Sequence, residues 1–455
     1  MNLKLRLITM NFLQFFVWGA WLITIANYWF GTKQWGPVEF SAIFTTLGLS
    51  SLIMPALTGI IADKWVNAER LYGVLHILSG AVVFYLPQVN DPNTFFWFML
   101  VAMLFYMPTI ALSNSVAYNT LKSNNYDVIK VFPPIRVWGT IGFIVAMWTT
   151  NLTGSKSSEV QFYISAIGSI ILGLYSFTLP ACKPNRNQES KGIVESLGLN
   201  AFKLFKNPKM AMFFVFAMFL GAALQLTNMY GDVFLDEFKK YQEYSNLFVV
   251  KYSTIIMSIS QVSETLFILA IPFFLKKFGI KKVMLISMFA WVLRFGLLAY
   301  GNPADGLWMI IVSCIVYGMA FDFFNVSGSL YVETQTDSKI RSSAQGLFIM
   351  MVNGIGAIIG SFTSGLIIKH FFTLKFDNIN NLARHFHCST EASWLKEITK
   401  YNKVDGNGVF NKVVEIKEWQ GVWLSFALYA AVIAILFAIF FKHKHDPNVE
   451  LDVKH

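Results

Sequence analysis

Long apolar runs alternate with short polar connections along the whole chain. The runs fall at about 7–30, 41–62, 71–88, 95–118, 133–152, 160–180, 209–235, 248–275, 281–300, 306–331, 342–370 and 420–441. A helix crosses a bilayer with about 20 apolar residues. The pattern therefore predicts an all-α membrane protein with twelve transmembrane helices. An even number of spans puts both termini on one side. Lys4, Arg6, Lys64, Arg70, Lys183, Arg186, Lys191, Lys276, Lys277, Lys339, Arg341, Lys442 and Lys444 fall on that side. Basic connections stay inside, so both termini are expected in the cytoplasm.

The connection at 181–208 is the longest polar stretch near mid-chain and is rich in Lys and Arg. It divides the chain into six-helix halves, 1–180 and 209–455. Two such halves with a basic linker are the layout of the major facilitator fold, whose site lies between the halves at the midplane. A second polar stretch, 371–418, is expected outside as a solvated loop with one short amphipathic helix at Trp394–Ile398. Its His385-Phe-His387-Cys388 run lacks zinc-site partners. Its Asp405-Gly-Asn-Gly408 run lacks the remaining ligands of a calcium loop. No metal site and no cofactor is expected.

Composition agrees with the pattern. Hydrophobic residues make up 55% and charged residues 14%, against about 25% charged in a soluble domain. Mean hydropathy is +0.51. The net charge of +10 sits at span ends, so it does not point to nucleic acid. Cys182, Cys314 and Cys388 fall in three different settings and predict no disulfide framework. The start, Met1-Asn-Leu-Lys-Leu-Arg6, leads into an apolar run without a small-residue cleavage site and is expected to be an uncleaved first span. No spacing supplies a nucleophile with a base or a metal site, so an enzyme is not expected.

The polar residues inside the runs carry the chemistry. Gln261 and Glu264 lie mid-span and, three apart, share a helix face. A carboxylate at that depth costs several kcal/mol unless protonated, paired or wetted. Its alternative role is to tie two helices together. The fifth span is expected to open at Phe132-Pro-Pro134, since prolines suit a first turn. Arg136, Thr140 and Phe143 then form one stripe of cation, hydroxyl and ring. Arg136 alternatively snorkels at the membrane surface. Gln225 and Asn228 form a second amide pair, which fits hydroxyls and base edges or plain helix–helix hydrogen bonds. Tyr317 and Phe321 share a face, and Asp322 lies about 100° round from Phe321. Arg294 and His76 are weaker candidates. Trp18 and Trp21 are placed to line a cavity. The inventory suits a small neutral polar molecule with hydroxyls and a ring. Sugars and nucleosides both fit it.

Several stretches resemble the bacterial nucleoside–proton symporters of the major facilitator superfamily. They are Phe132 to Phe143, Ile256 to Leu269, Tyr317 to Asn325, Trp18-Gly-Ala-Trp21 and Met54-Pro-Ala-Leu57 through Ala62-Asp-Lys-Trp65. The resemblance covers nearly the whole chain. It implies a secondary active transporter that takes up nucleosides such as uridine or adenosine with protons, across a wide range of purines and pyrimidines. A sugar transporter or a xanthosine specialist is the alternative. It also implies nucleoside contacts at Arg136, Thr140, Phe143, Gln225, Asn228, Gln261, Glu264, Tyr317 and Phe321. Proton coupling is expected at Glu264 and Asp322, and the protein is expected to act as a monomer. The gate loop between spans two and three departs from the superfamily pattern: Val66 stands where a second glycine is usual in Gly59-Ile-Ile-Ala-Asp-Lys-Trp-Val66.

Overall fold

The computed structural model describes residues 2–184, 199–336 and 340–443. Residues 185–198, half of the linker 181–208, lie outside the described residues, as do Lys339 and Lys444; Arg186 and Lys191 of the basic set fall within 185–198.

The first helices are α1 (Leu3–Gly19), α2 (Pro37–Lys64), α3 (Ala68–Tyr85), α4 (Pro92–Ser123), α5 (Val128–Leu152) and α6 (Val160–Ser176). Then come α7 (Pro208–Glu237), α8 (Ile259–Tyr300), α9 (Leu307–Gln335), α10 (Arg341–Ile349), α11 (Ala357–Phe371) and α12 (Trp419–Phe440). Three long helices, α2, α4 and α7, begin with proline, where no amide hydrogen bond is forfeited. Asp91 caps α4 by accepting from the Thr94 amide at 2.8 Å. Asn207 caps α7 by accepting from the Lys209 amide at 3.0 Å.

Among the described residues, nine helices are long and apolar enough to cross a membrane, and Val160–Ser176 is a shorter apolar helix. The difference from twelve spans has plain causes. At about 1.5 Å per residue, the 42 residues of α8 would reach about 63 Å, twice the hydrocarbon thickness. Gly279, at φ 74°, breaks α8 into two limbs. That backbone region costs glycine little and other residues more. Helices α1 and α6, at 17 residues each, fall just short of a full span by themselves.

Two expectations are corrected. Helix α5 starts at Val128, not at the prolines: the Asp127 side chain accepts from the Lys130 amide at 3.3 Å and caps the helix one turn earlier. Pro133 and Pro134 sit inside it on its exposed side, where the carbonyls they leave unbonded stay accessible. The stretch 371–418 is more than a solvated loop, and it makes the chain not purely helical. Strands β1 (Thr373–Asn378) and β2 (Val409–Lys417) pair antiparallel, with Thr373 opposite Lys417. Two short helices, Ile379–His385 and Ser393–Tyr401, pack onto them. Leu382, Phe386, Trp394, Leu395, Phe410 and Ile416 close a small core of its own.

Helix α1 packs on α5 and α6, α3 on α4 and α6, and α8 on α9 and α12. The α1–α6 set meets the later helices chiefly where α2 runs beside α11. Polar contacts across this boundary gather at the end of the bundle where α1 leads into α2. Lys156 reaches Asp236 at 2.5 Å and Ser253 at 2.8 Å. Asn27 donates to Asp232, the Asn151 amide to the Lys251 carbonyl at 3.2 Å, and Trp148 to Ser258 at 2.9 Å. Lys417, at the end of β2, lies 3.3 Å over the Phe30 ring and 3.6 Å from Glu237. Burial pulls the Lys417 pKa down to about 8, with Glu237 opposing the shift.

Candidate functional site

The wall contributed by α1 and α5 depends on close backbone approach. A Cβ on Gly142 would stand 2.1 Å from the Phe12 carbonyl, and one on Gly19 would stand 2.5 Å from that of Phe143. Gly139 makes room for the side chain next to it, since a Cβ there would meet the Arg136 guanidinium at 2.6 Å. Arg136 therefore lies over the Phe15 ring, 4.0 Å from its centre, and is half-buried rather than splayed at the membrane surface. Phe143 meets Trp18 edge to face at 6.4 Å, and Trp18 packs on Tyr106 at 5.9 Å. Trp18 keeps its indole N–H buried without a partner.

The opposite wall comes from α7, α8 and α9. Glycine again sets the distance: a Cβ on Gly318 would lie 2.6 Å from the Glu264 amide nitrogen. The Ser263 hydroxyl donates to the Ile315 carbonyl and fastens the two helices at that level. Glu264 is half-buried. The charged groups that couple to it electrostatically are Arg136, from the other wall, and Asp322, from α9. Tyr317 and Phe321 stack with rings 9° apart and centres 6.0 Å apart. Arg294 lies over the Tyr317 ring, 4.6 Å from its centre, and Glu264 and Asp322 also couple to Tyr317 electrostatically.

Several polar atoms in this region are buried and unpartnered. They include Oε1 of Gln225, Oε1 of Gln261 and Oδ2 of Asp322. Such atoms are few in folded proteins and each calls for a reason, a ligand being one. Gln225 is held close to the π-turn between α10 and α11 (Met350–Gly356), because Gly221, one turn earlier, lies against the Val352 carbonyl. Thr140 and Asn228 are half-buried on the same helices. Among the described residues they make no side-chain hydrogen bond to the other candidates.

The structure thus brings Arg136, Glu264, Asp322 and Tyr317 into one electrostatic neighbourhood. Phe143 lies on the α1–α5 wall and Phe321 on the other. Asp322 is 5% exposed, and Glu264 is the charged group that acts on it electrostatically. His76 is a packed core residue. Its ring contacts Ser169 at 3.0 Å and the Gln14 side-chain oxygen at 2.9 Å, to which Tyr72 also donates. Sequence alone does not single out Tyr106 and Phe15. Both are common aromatic residues in apolar runs, and only the fold sets them beside Trp18 and Arg136. Among the described residues, no three or more His, Cys, Asp or Glu side chains gather in a group that could hold a metal ion.

A bundle of apolar helices with ionisable groups gathered between two walls defines a membrane transporter rather than an enzyme. Residues 1–446 match the family described as Nucleoside H+ symporter, and the chain belongs to that family. It is 46% identical over 449 residues to the xanthosine permease of Escherichia coli (strain K12), with 98% of each chain covered. It is 44% identical over 446 residues to the nucleoside permease NupG of the same organism, covering 98% of this chain and 97% of that one. A crystal structure of the nucleoside transporter NupG superposes with a TM-score of 0.82 at 44% identity, over 98% of this chain and all of the other.

Proposed function

We propose that the protein takes up nucleosides together with protons, by alternating exposure of one site between halves 1–180 and 209–455. Counting the limbs of α8 separately, adding α1 and α6, and taking α10 with α11 as one span supports twelve spans in two sets of six. Residues 181–208 serve as the linker, and 371–418 lies outside. The polar contacts at the α1–α2 end then close the outer entrance, which corresponds to a state open toward the cytoplasm.

The observation that carries the reading is that buried polar atoms without a partner, Oε1 of Gln225, Oε1 of Gln261 and Oδ2 of Asp322, occur on the wall that also carries Glu264, with Arg136 acting on Glu264 electrostatically from the other wall. A nucleoside presents hydroxyls, amide-like base edges and a flat ring. Gln225, Asn228, Gln261 and Thr140 suit the first two, and Phe143, Tyr317 and Phe321 suit the ring. Glu264 is the proton carrier and Asp322 assists it. No cofactor takes part, the coupling ion being the proton, and the monomer is the working unit. The similar identities to a xanthosine permease and to NupG leave both base classes within the proposed range.

The test is uptake of labelled uridine, competed by adenosine, xanthosine and sugars, together with binding to Gln225→Ala, Asn228→Ala and Gln261→Ala. Nucleosides are expected to compete and sugars not. A lost hydrogen bond typically costs about 0.5–1.5 kcal/mol, so each variant is expected to bind uridine roughly threefold to tenfold more weakly. Unchanged binding in all three folded variants would remove these amides from the site.

A further inference from the structure

Arg294, on the second limb of α8, is 0% exposed, and none of the ion pairs among the described residues includes it. Its nearest electrostatic neighbours are Cys314 and Tyr317, neither an acid near neutral pH. A buried cation without an anion is costly and persists where it is tied down by oxygens and has a use. Arg294 is tied to three different parts of the wall. Its Nε donates to the Thr227 hydroxyl at 3.3 Å and its Nη1 to the Ser260 hydroxyl at 3.4 Å. Its Nη1 also donates to the Ser313 carbonyl at 2.7 Å, and Ser313 returns a bond to the Arg294 carbonyl at 3.3 Å. The guanidinium lies 4.6 Å from the centre of the Tyr317 ring.

Each tie sits next to a proposed nucleoside contact. Thr227 lies between Gln225 and Asn228. Ser260 precedes Gln261. In an α-helix the Ser313 carbonyl is the one that receives the amide of residue 317, so Arg294 grips Tyr317 through both backbone and ring. Arginine can do this because its fork holds several donors in fixed directions while its flat face stacks on a ring.

We infer that Arg294 is the positioning residue of the α7–α9 wall, setting Gln225, Gln261 and Tyr317 at the mutual spacing that a nucleoside requires. It acts through the residues it ties; its remaining nitrogen, Nη2, is buried without a hydrogen-bond partner. The inference rests on the proposed assignment of those three residues to the site.

The experiment is a double-mutant cycle on uridine binding by the purified full-length protein. The proteins are wild type, Arg294→Lys, Tyr317→Leu and the double variant, with Gln261→Ala and Thr227→Val beside them. Lysine keeps the charge and loses the fork. Arg294→Lys and Tyr317→Leu are each expected to weaken binding by about tenfold, and the double variant to bind no more weakly than the worse single. Residues that act through one another are non-additive, whereas a general loss of packing adds. Thr227→Val removes one tie without removing the cation, and is expected to lower affinity severalfold in a protein that stays folded. Losses that multiply in the double variant, or wild-type binding by both Arg294→Lys and Thr227→Val, would overturn the role of Arg294 while leaving the site assignment standing. Unchanged binding by Tyr317→Leu and Gln261→Ala would overturn the site assignment and the inference with it.

Discussion

The carboxyl of Glu264 is placed by an atom that its partner lacks. Gly318 lets α9 approach until a Cβ would stand 2.5 Å from the Ser263 carbonyl carbon. Backbone cannot swing aside as a flexible side chain can, so Gly318→Ala must push the helices apart. Overpacking of this kind costs about 1–3 kcal/mol. Gly318→Ala is expected to lower thermal stability and to reduce uridine uptake more than the melting shift explains. Melting and uptake measured on one preparation check this, and wild-type values for both would show that α8 and α9 tolerate separation there. The ionisable residues are legible in the sequence because charge at membrane depth is rare. Gly318 is not, because one glycine among 30 carries no mark of what it faces. Tyr106 and Phe15 are hidden for the same reason: an aromatic residue in an apolar run takes its role from neighbours far along the chain.

Whole elements are legible where they are long and apolar, and less so where local capping or packing decides. Hydropathy locates α2, α4, α7 and α9 well. It does not show that Asp127 starts α5 before its prolines, or that a π-turn at Met350–Gly356 joins α10 to α11. The folded stretch at 371–418 escapes a reading of the sequence because its strands are short and mostly exposed. Its core forms only when Phe386 and Trp394 meet Phe410 across the hairpin. This stretch delivers Lys417 to Phe30 and Glu237 at the α1–α2 end, beside the bridge from Lys156 to Asp236. Asp236 is held from both sides, by Lys156 and by Lys239 at 2.7 Å. Lys156→Met therefore removes the tie between helix sets but does not strand the carboxylate. It is expected to loosen this end without unfolding the protein. Spin labels at Glu159→Cys and Gln242→Cys, both exposed, would report it in pulsed distance measurements. Longer and broader distances are expected in Lys156→Met, and an unchanged distribution would mean that the bridge does not hold the entrance closed.

At the scale of the whole molecule, orientation and coupling decide whether the site can work. The proposed orientation, read from the basic residues at the α2–α3 connection and the chain ends, has the termini in the cytoplasm and would place Asn407, exposed at the tip of 405–408, outside the cell. A membrane-impermeant thiol reagent is expected to label Asn407→Cys in intact spheroplasts of a variant whose three native cysteines are replaced. Labelling only after permeabilisation would invert the topology. Inward accumulation then needs a proton that is bound from outside and released inside, and one charge crossing yields about 2.3 kcal/mol per 100 mV. In the proposed alternating exposure Arg136 and Glu264 belong to opposite halves, so their separation is what the movement would change. Glu264→Gln keeps the shape and the hydrogen-bonding reach but cannot carry the proton. The measurement that decides is uridine accumulation in proteoliposomes under an imposed inward proton gradient, with equilibrium binding measured in parallel. Wild-type protein is expected to accumulate uridine, and Glu264→Gln to bind it but not concentrate it. Gradient-driven accumulation by Glu264→Gln at the wild-type level would contradict the assignment of the coupled proton to Glu264.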